Sequence, residues 1–362
     1  MAESLPNTQE MNVGDMVRLL SKTYITLIES GKPFSSFPSV MLWGAPGVGK
    51  SQGVRQIAGH IEKRTGKHVH ITDVRLLLFN PVDLRGIPTA NADRTLAVWL
   101  RPSIFEMDPS DDVVNILFLD EISAAPQSVQ AAAYQITLDR TIGEHRLPEN
   151  CIVIAAGNRV TDRSVAYNMP SALANRLCHL EIRENADAWH DWAIRAGIHP
   201  FIVGYLDYSP TALMHSPSAE ISNAFPTPRS WEMTSNILNH ISDDPGDVMP
   251  LISGCIGLSA ASAFRKWTTL YQSIPDPAAI FSGQDAAPPK AAELRTALRS
   301  IMVAYARQHS DKEGIDRSIE FACKLPWNFR ANLLHDYSLI PDVKAVMKGN
   351  AVYLAARKRG LQ

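Results

Sequence analysis

The sharpest chemical signal in the sequence is one unbroken stretch, Gly44-Ala45-Pro46-Gly47-Val48-Gly49-Lys50-Ser51. It fits the pattern GxxxxGK[ST], in which a glycine-rich turn folds its N–H groups inward around phosphate oxygens. Glycine is needed because a side chain there obstructs both the turn and the approach of the anion. In this reading Lys50 reaches the β and γ phosphates and Ser51 offers its hydroxyl to Mg2+. A second signal is the apolar run Ile116-Leu117-Phe118-Leu119, which ends in Asp120-Glu121. An acid pair after a strand is by itself a helix cap or a solvated turn. With a phosphate loop upstream, Asp120 falls to the Mg2+ shell and Glu121 to orienting and deprotonating an attacking water. A third is Asn158, in Ala155-Ala156-Gly157-Asn158-Arg159. Alone it is turn chemistry; as a third strand end of one sheet, its neutral amide can hydrogen-bond the water or the γ-phosphate.

These residues need strands that stop side by side. Short apolar runs at Ser39–Trp43, Val69–Thr72, Val113–Leu119, Cys151–Ala156 and His179–Ile182 alternate with helical segments from about Lys50 and Pro126. Such alternation predicts a parallel sheet with helices on both faces. A first helix is read from Val17, Leu20, Tyr24, Leu27 and Ile28, stopping at Gly31. Between the second and third strands, Pro81, Gly86 and Pro88 break any helix, so Asn80–Arg101 reads as an inserted hairpin. Thr141–Leu147 reads as another, turning at Gly143-Glu144. Strand signals fade after Glu184 and helical patterns take over, interrupted by a Pro/Gly/Ala-rich stretch from Ile274 to Lys290.

With 35 basic and 37 acidic residues, a net charge of −2 and 45% hydrophobic residues over 362 positions, the chain is no disordered tail and carries no global basic signal. Its length predicts two domains. The first ten residues show neither a basic n-region nor an apolar h-region, so no secretion signal is expected. Val248–Phe264, an uncharged stretch, is too interrupted for a membrane span and reads as a buried helix. The four cysteines form no CxxC pair and read as reduced, buried thiols of a cytoplasmic protein.

In order, these residues resemble an AAA+ ATPase of the MoxR-like branch over about residues 38–265. The resemblance rests on the Walker A loop 44–51, the Walker B strand with Asp120 and Glu121, and sensor 1 at Asn158. It adds Ser171-Ala172-Leu173-Ala174-Asn175-Arg176 as an arginine-finger segment and Pro226-Thr227-Pro228-Arg229 as sensor 2. The branch is suggested by Asn80-Pro81-Val82-Asp83-Leu84-Arg85-Gly86 and by the hairpin at 141–147. The resemblance implies an α/β P-loop core with a parallel five-stranded sheet over residues 1–184 and an α-helical lid over 185–272. A loop over 273–290 and a helical extension over 291–362 complete that division. It also implies ATP hydrolysis with Mg2+ in a homo-oligomeric ring, usually of six subunits, with Arg176 acting in trans and Arg229 in cis from the lid. A protein partner carrying a von Willebrand factor A domain is implied as well. Gly-Asn-Arg departs from the Asn-Pro expected at sensor 1, which leaves the role of Arg159 open and offers Arg163 as a second arginine for a neighbouring subunit.

Weaker features are read blandly. His68 and His70 share a strand face without a carboxylate or thiol to complete a zinc site. Lys344, Lys348, Arg357, Lys358 and Arg359 read as a solvated helix face. Trp99 either faces a pore or packs its hairpin. The competing function is a nucleic-acid-directed P-loop motor or loader, against which stand the near-neutral charge and the lack of an appended DNA-binding module. A nucleotide-gated scaffold has no need of Glu121, a small-molecule kinase no need of Asn158, Arg176 and Arg229, and GTP specificity lacks its Asn-Lys-x-Asp tetrad.

Overall fold

The computed structural model describes residues 9–159, 174–215 and 224–358. The chain divides into two compact units, Met1–Glu184 and Asn185–Gln362.

In the first unit, β1 (Glu10–Met11) leads into α1 (Val13–Glu29), whose N-cap Asn12 accepts from the Asp15 N–H at 2.9 Å. There follow β2 (Val40–Trp43), α2 (Lys50–Thr65), β3 (His68–Arg75), α3 (Pro81–Arg85), β4 (Ile87–Ala90) and β5 (Ala97–Leu100). The unit continues with β6 (Val113–Asp120), α4 (Gln127–Asp139), β7 (Thr141–Ile142), β8 (His145–Arg146), β9 (Cys151–Gly157) and β10 (Cys178–Ile182). The main sheet runs β1-β10-β2-β9-β6-β3 with every pairing parallel.

Both sheet faces are covered, so the inner strands β2, β9 and most of β6 are apolar, with Asn115 the buried polar exception in β6. Side chains alternate between two cores. Leu42, Ile116, Phe118, Ile152 and Ile154 pack with Met16 and Leu20 of α1 and Ile57 and Ile61 of α2. Met41, Leu117, Leu119, Val153 and Ala155 pack with Val129, Ala133 and Ile136 of α4.

All five expected strands form, and the sheet gains a sixth, β1, whose Glu10 and Met11 lie opposite Glu181 and Ile182. A two-residue strand is too short to leave a period in the sequence. Both hairpins are present, β4 with β5 and β7 with β8. Pro81 starts a helix instead of breaking one: at the first helical position its missing N–H costs nothing, and Asp83 accepts from the Asn80 N–H at 2.8 Å.

Among its described residues the second unit forms α-helices and no strand: Ala186–Ala196, Pro200–Tyr208, Pro228–His240, Met249–Ile256, Leu258–Thr268, Pro277–Ser282, Ala292–Gln308, Lys312–Ala322, Trp327–Leu339, Pro341–Met347 and Ala351–Lys358. One apolar cluster runs from Trp189 through Trp231, Phe264 and Ile319 to Met347. Pro277–Ser282 lies inside the stretch expected as loop, its start fixed by Asp276, which accepts from the Ala278 N–H at 2.9 Å. Val248–Phe264 is two helices, not one buried helix. They break at Gly257, where φ is +83° and an added Cβ would sit 2.7 Å from the Ala224 carbonyl oxygen. Leu251 and Leu258 face solvent.

Of the cysteines expected to be buried, Cys151 is, Cys178 and Cys255 are half-buried, and Cys323 is exposed on the surface. No helix among the described residues is long and apolar enough to cross a membrane.

Candidate nucleotide site

The glycine-rich segment is the loop from β2 to α2. Gly47 and Gly49 adopt φ of +78° and +107°, the left-handed region that glycine enters without penalty. Val48 is buried and anchors the loop in the core beside α1. The first N–H groups of α2 have no intrahelical acceptor, so this turn is a ready anion cradle.

Lys50, the first residue of α2, is 8% exposed. Its ammonium donates to the Gly44 and Ala45 carbonyl oxygens at 2.5 and 3.2 Å and to Asn158 Oδ1 at 3.1 Å. The cation is therefore held over the loop and tied to the end of β9. Ser51 Oγ donates to Asp120 Oδ2 at 2.9 Å, which joins the start of α2 to the end of β6. Hydroxyl and carboxylate oxygens are hard donors of the kind Mg2+ takes, so Ser51 and Asp120 fit that ion.

Glu121 follows directly, half-buried, with φ of +59°. A non-glycine residue in that region stores of order 1 kcal/mol or more of backbone strain. The turn is nonetheless fixed: the Glu121 N–H donates to Asp120 Oδ1 at 2.9 Å and the Ile122 N–H to the Ala156 carbonyl at 3.0 Å.

Asn158 sits where β9 ends. Its backbone N–H donates to the hydroxyl of Ser123, a residue 2% exposed, at 2.8 Å. Ser123 thus pins the third strand end to the acid-bearing turn. Nothing in the sequence marked it, because serine after an acid pair is ordinary turn composition. Arg159, whose role the sequence left open, is buried and paired with the fully buried Glu181 of β10. The readable signal was an acid in the middle of the strand Cys-His-Leu-Glu-Ile.

Other expected residues stand apart. Arg176 is exposed just before β10, and Arg229 is exposed at the start of the helix Pro228–His240 in the second unit. Neither forms an ion pair with a described residue. Arg163 and the stretch Ser171-Ala172-Leu173 lie outside the described residues. His68 and His70 are exposed on β3, and His68 Nδ1 lies 3.4 Å from a Glu62 carboxylate oxygen. Trp99 is half-buried in β5, and its carbonyl oxygen lies 2.9 Å from His145 Nε2 on the second hairpin.

Residues 39–179 match the ATPase family associated with various cellular activities (AAA). The matched segment holds the phosphate loop, the acid pair and Asn158, and the match supports ATP hydrolase activity. No curated protein matches the sequence. Among solved structures the chain is similar to a RuvB mutant from Thermotoga maritima, at 15% identity over 92% of this chain and 86% of that one, with a TM-score of 0.36. It is also similar to the Aeropyrum pernix Orc1 protein in complex with DNA, at 12% identity over 93% and 84% of the chains, with a TM-score of 0.39. A third likeness is to PCH-2 of C. elegans, at 12% identity over 83% and 68%, with a TM-score of 0.33. At those scores none of the three bears on function.

Proposed function

We propose that the protein is a MoxR-like AAA+ ATPase that hydrolyses ATP in a homo-oligomeric, hexameric ring and uses the cycle to remodel or activate a partner protein. The observation that carries the reading is the joining of three strand ends by Lys50 to Asn158 at 3.1 Å and Ser51 to Asp120 at 2.9 Å.

In this reading the loop Gly44-Ala45-Pro46-Gly47-Val48-Gly49 cradles the phosphates, and Lys50 leaves its carbonyl partners to neutralise the β and γ oxygens. Ser51 and Asp120 hold Mg2+, which supplies positive charge to the phosphate oxygens when bound. Glu121 accepts the proton of the water whose oxygen attacks the γ-phosphorus as the bond to the ADP oxygen breaks. Asn158 orients that water. Arg176 is supplied to the site of a neighbouring subunit, where a permanently charged planar fork suits the developing γ-phosphoryl charge. Arg229 couples the helical unit to nucleotide state. By family resemblance the partner carries a von Willebrand factor A domain, and the setting is cytoplasmic.

The test is Glu121→Gln. It is expected to bind ATP as the wild type does and to lose about 10²–10⁴-fold in turnover, the range a general base contributes. Wild-type turnover in that variant removes Glu121 from the role of base.

A further inference from the structure

Arg159 immediately follows the residue assigned above to orient water, yet it is 5% exposed and its guanidinium is committed to Glu181, which is completely buried. In the sheet order, β9 and β10 flank β2, so this ion pair spans the end of the strand that launches the phosphate loop. The same end is tight in other ways. The Gly44 N–H donates to the Gly157 carbonyl at 3.2 Å, and a Cβ on Gly44 would come within 2.5 Å of the Ile182 carbonyl oxygen. Glu181 is held in turn by Arg183 at 2.9 Å, and Arg183 reaches Glu10 of β1 at 2.8 Å. A chain of alternating charge therefore lashes the ends of β1, β10 and β9 across β2.

Burying an ion pair is a poor way to gain stability, since the desolvation of both charges offsets most of their attraction and an apolar pair of similar volume does as well. What such a pair does provide is a fixed orientation, because the planar guanidinium offers its donors in one fork. We propose that Arg159 and Glu181 are positioning residues for ATP hydrolysis: by clamping the backbone after Asn158 to β10, they hold the Asn158 amide and the start of the phosphate loop in hydrolytic register. Asn158 is then fixed on three sides, by Ser123 at its N–H, by Lys50 at its Oδ1 and by the Arg159 clamp at its carboxyl side. The proposal rests on the reading of Asn158 given above, and its test separates the two.

The full-length protein is compared with Asn158→Ala, with the double variant Arg159→Met/Glu181→Met, and with the single variants Glu181→Gln and Arg159→Lys. Steady-state kcat and KM for ATP are measured alongside melting temperature. The double variant fills the buried space without charge. It is expected to melt within a few degrees of wild type and to keep its KM, while kcat falls on the order of 10- to 100-fold, the size of a sub-ångström to ångström misplacement. Glu181→Gln, nearly the same shape, is expected to fall in the same way and serves where the double variant does not fold. Arg159→Lys, which keeps the charge without the fork, is expected to recover part of the turnover. A folded double variant or Glu181→Gln with wild-type kcat, while Asn158→Ala is impaired, overturns the positioning role and leaves the site reading standing. Wild-type kcat in Asn158→Ala overturns both.

Discussion

At the scale of single residues, the site is built from contacts that hold side chains in place before any nucleotide arrives. Ser123 shows how much rests on one hydroxyl. It accepts the N–H of the half-buried Asn158 from a position with almost no solvent access, so its removal costs that donor its partner. Ser123→Ala is expected to lower stability by about 0.5–1.5 kcal/mol in chemical denaturation. A loss under 0.5 kcal/mol, on the order of a surface substitution, would mean that the N–H finds another acceptor. Lys50, Ser51, Asp120 and Glu121 stood out in the sequence because the proposed phosphate and Mg2+ chemistry calls for those residue types at that spacing. Ser123 did not, since its value comes from a partner 35 residues away, and Glu181 showed only as an acid within a strand, its partner 22 residues away being unreadable.

At the scale of elements, strand alternation made the sheet readable, whereas helix breaks at glycine and starts at proline were misjudged. Pro81 and Gly257 illustrate both errors: proline at a first helical position begins a helix, and glycine at φ of +83° ends one. The helical unit also contains two histidines with opposite electrostatics. His190 lies between Asp207 and Asp336, at 2.6 and 2.9 Å, and Arg299 pairs with the same two acids. These residues tie together the helices Ala186–Ala196, Pro200–Tyr208, Ala292–Gln308 and Trp327–Leu339. Burial alone would lower the His190 pKa, but its hydrogen bonds and charge contacts with the two aspartates outweigh that and raise it to about 10. A raised base stabilises the fold fully below its unfolded value near 6.5, and that stability drains away as pH climbs through about 10. Melting temperature is therefore expected to fall from pH 7 to pH 10, and to fall less steeply in His190→Gln. An identical slope in the variant would remove His190 as the cause.

His199 behaves in the other sense. It is buried at the start of Pro200–Tyr208, where its Nδ1 accepts from the Phe201 N–H at 3.3 Å, and burial lowers its pKa to about 4. The folded state needs the neutral ring, so stability is present above pH 6.5 and is lost as pH falls toward 4. The loss amounts to about 2–3 kcal/mol at pH 4. Denaturation at pH 7 and pH 4.5 for wild type and His199→Asn tests this, with the acid-dependent difference expected to shrink in the variant.

At the scale of the whole molecule, the proposed ring is the decisive question, because Arg176 lies exposed and the reading assigns it to a neighbour's site. Mass photometry of Glu121→Gln with ATP is expected to show a species near six times 39.9 kDa. A monomer with and without ATP, retaining hydrolysis in the wild type, would exclude action in trans. Mixing supplies the complementary test. Lys50→Ala is expected to lose ATP binding and Arg176→Ala to bind ATP without turnover, so a mixed ring pairs an intact pocket with an intact arginine and recovers part of the activity. No recovery counts against the finger.

The sequence by itself determined five strands of the main sheet, the phosphate loop and the acid pair, because each is encoded in consecutive residues whose pattern answers a local demand: an apolar run buried on both faces, a left-handed turn, a hard oxygen ligand. Only the tertiary structure decided that Lys50 meets Asn158, that Ser123 pins the third strand end and that Arg159 is spent on a buried acid. The first two contacts join strands that are adjacent in the sheet but distant in the chain, and the third reaches across β2 from the end of β9 to β10. A parallel sheet makes such neighbours through crossovers, and no local pattern records which two strand ends a crossover will bring together.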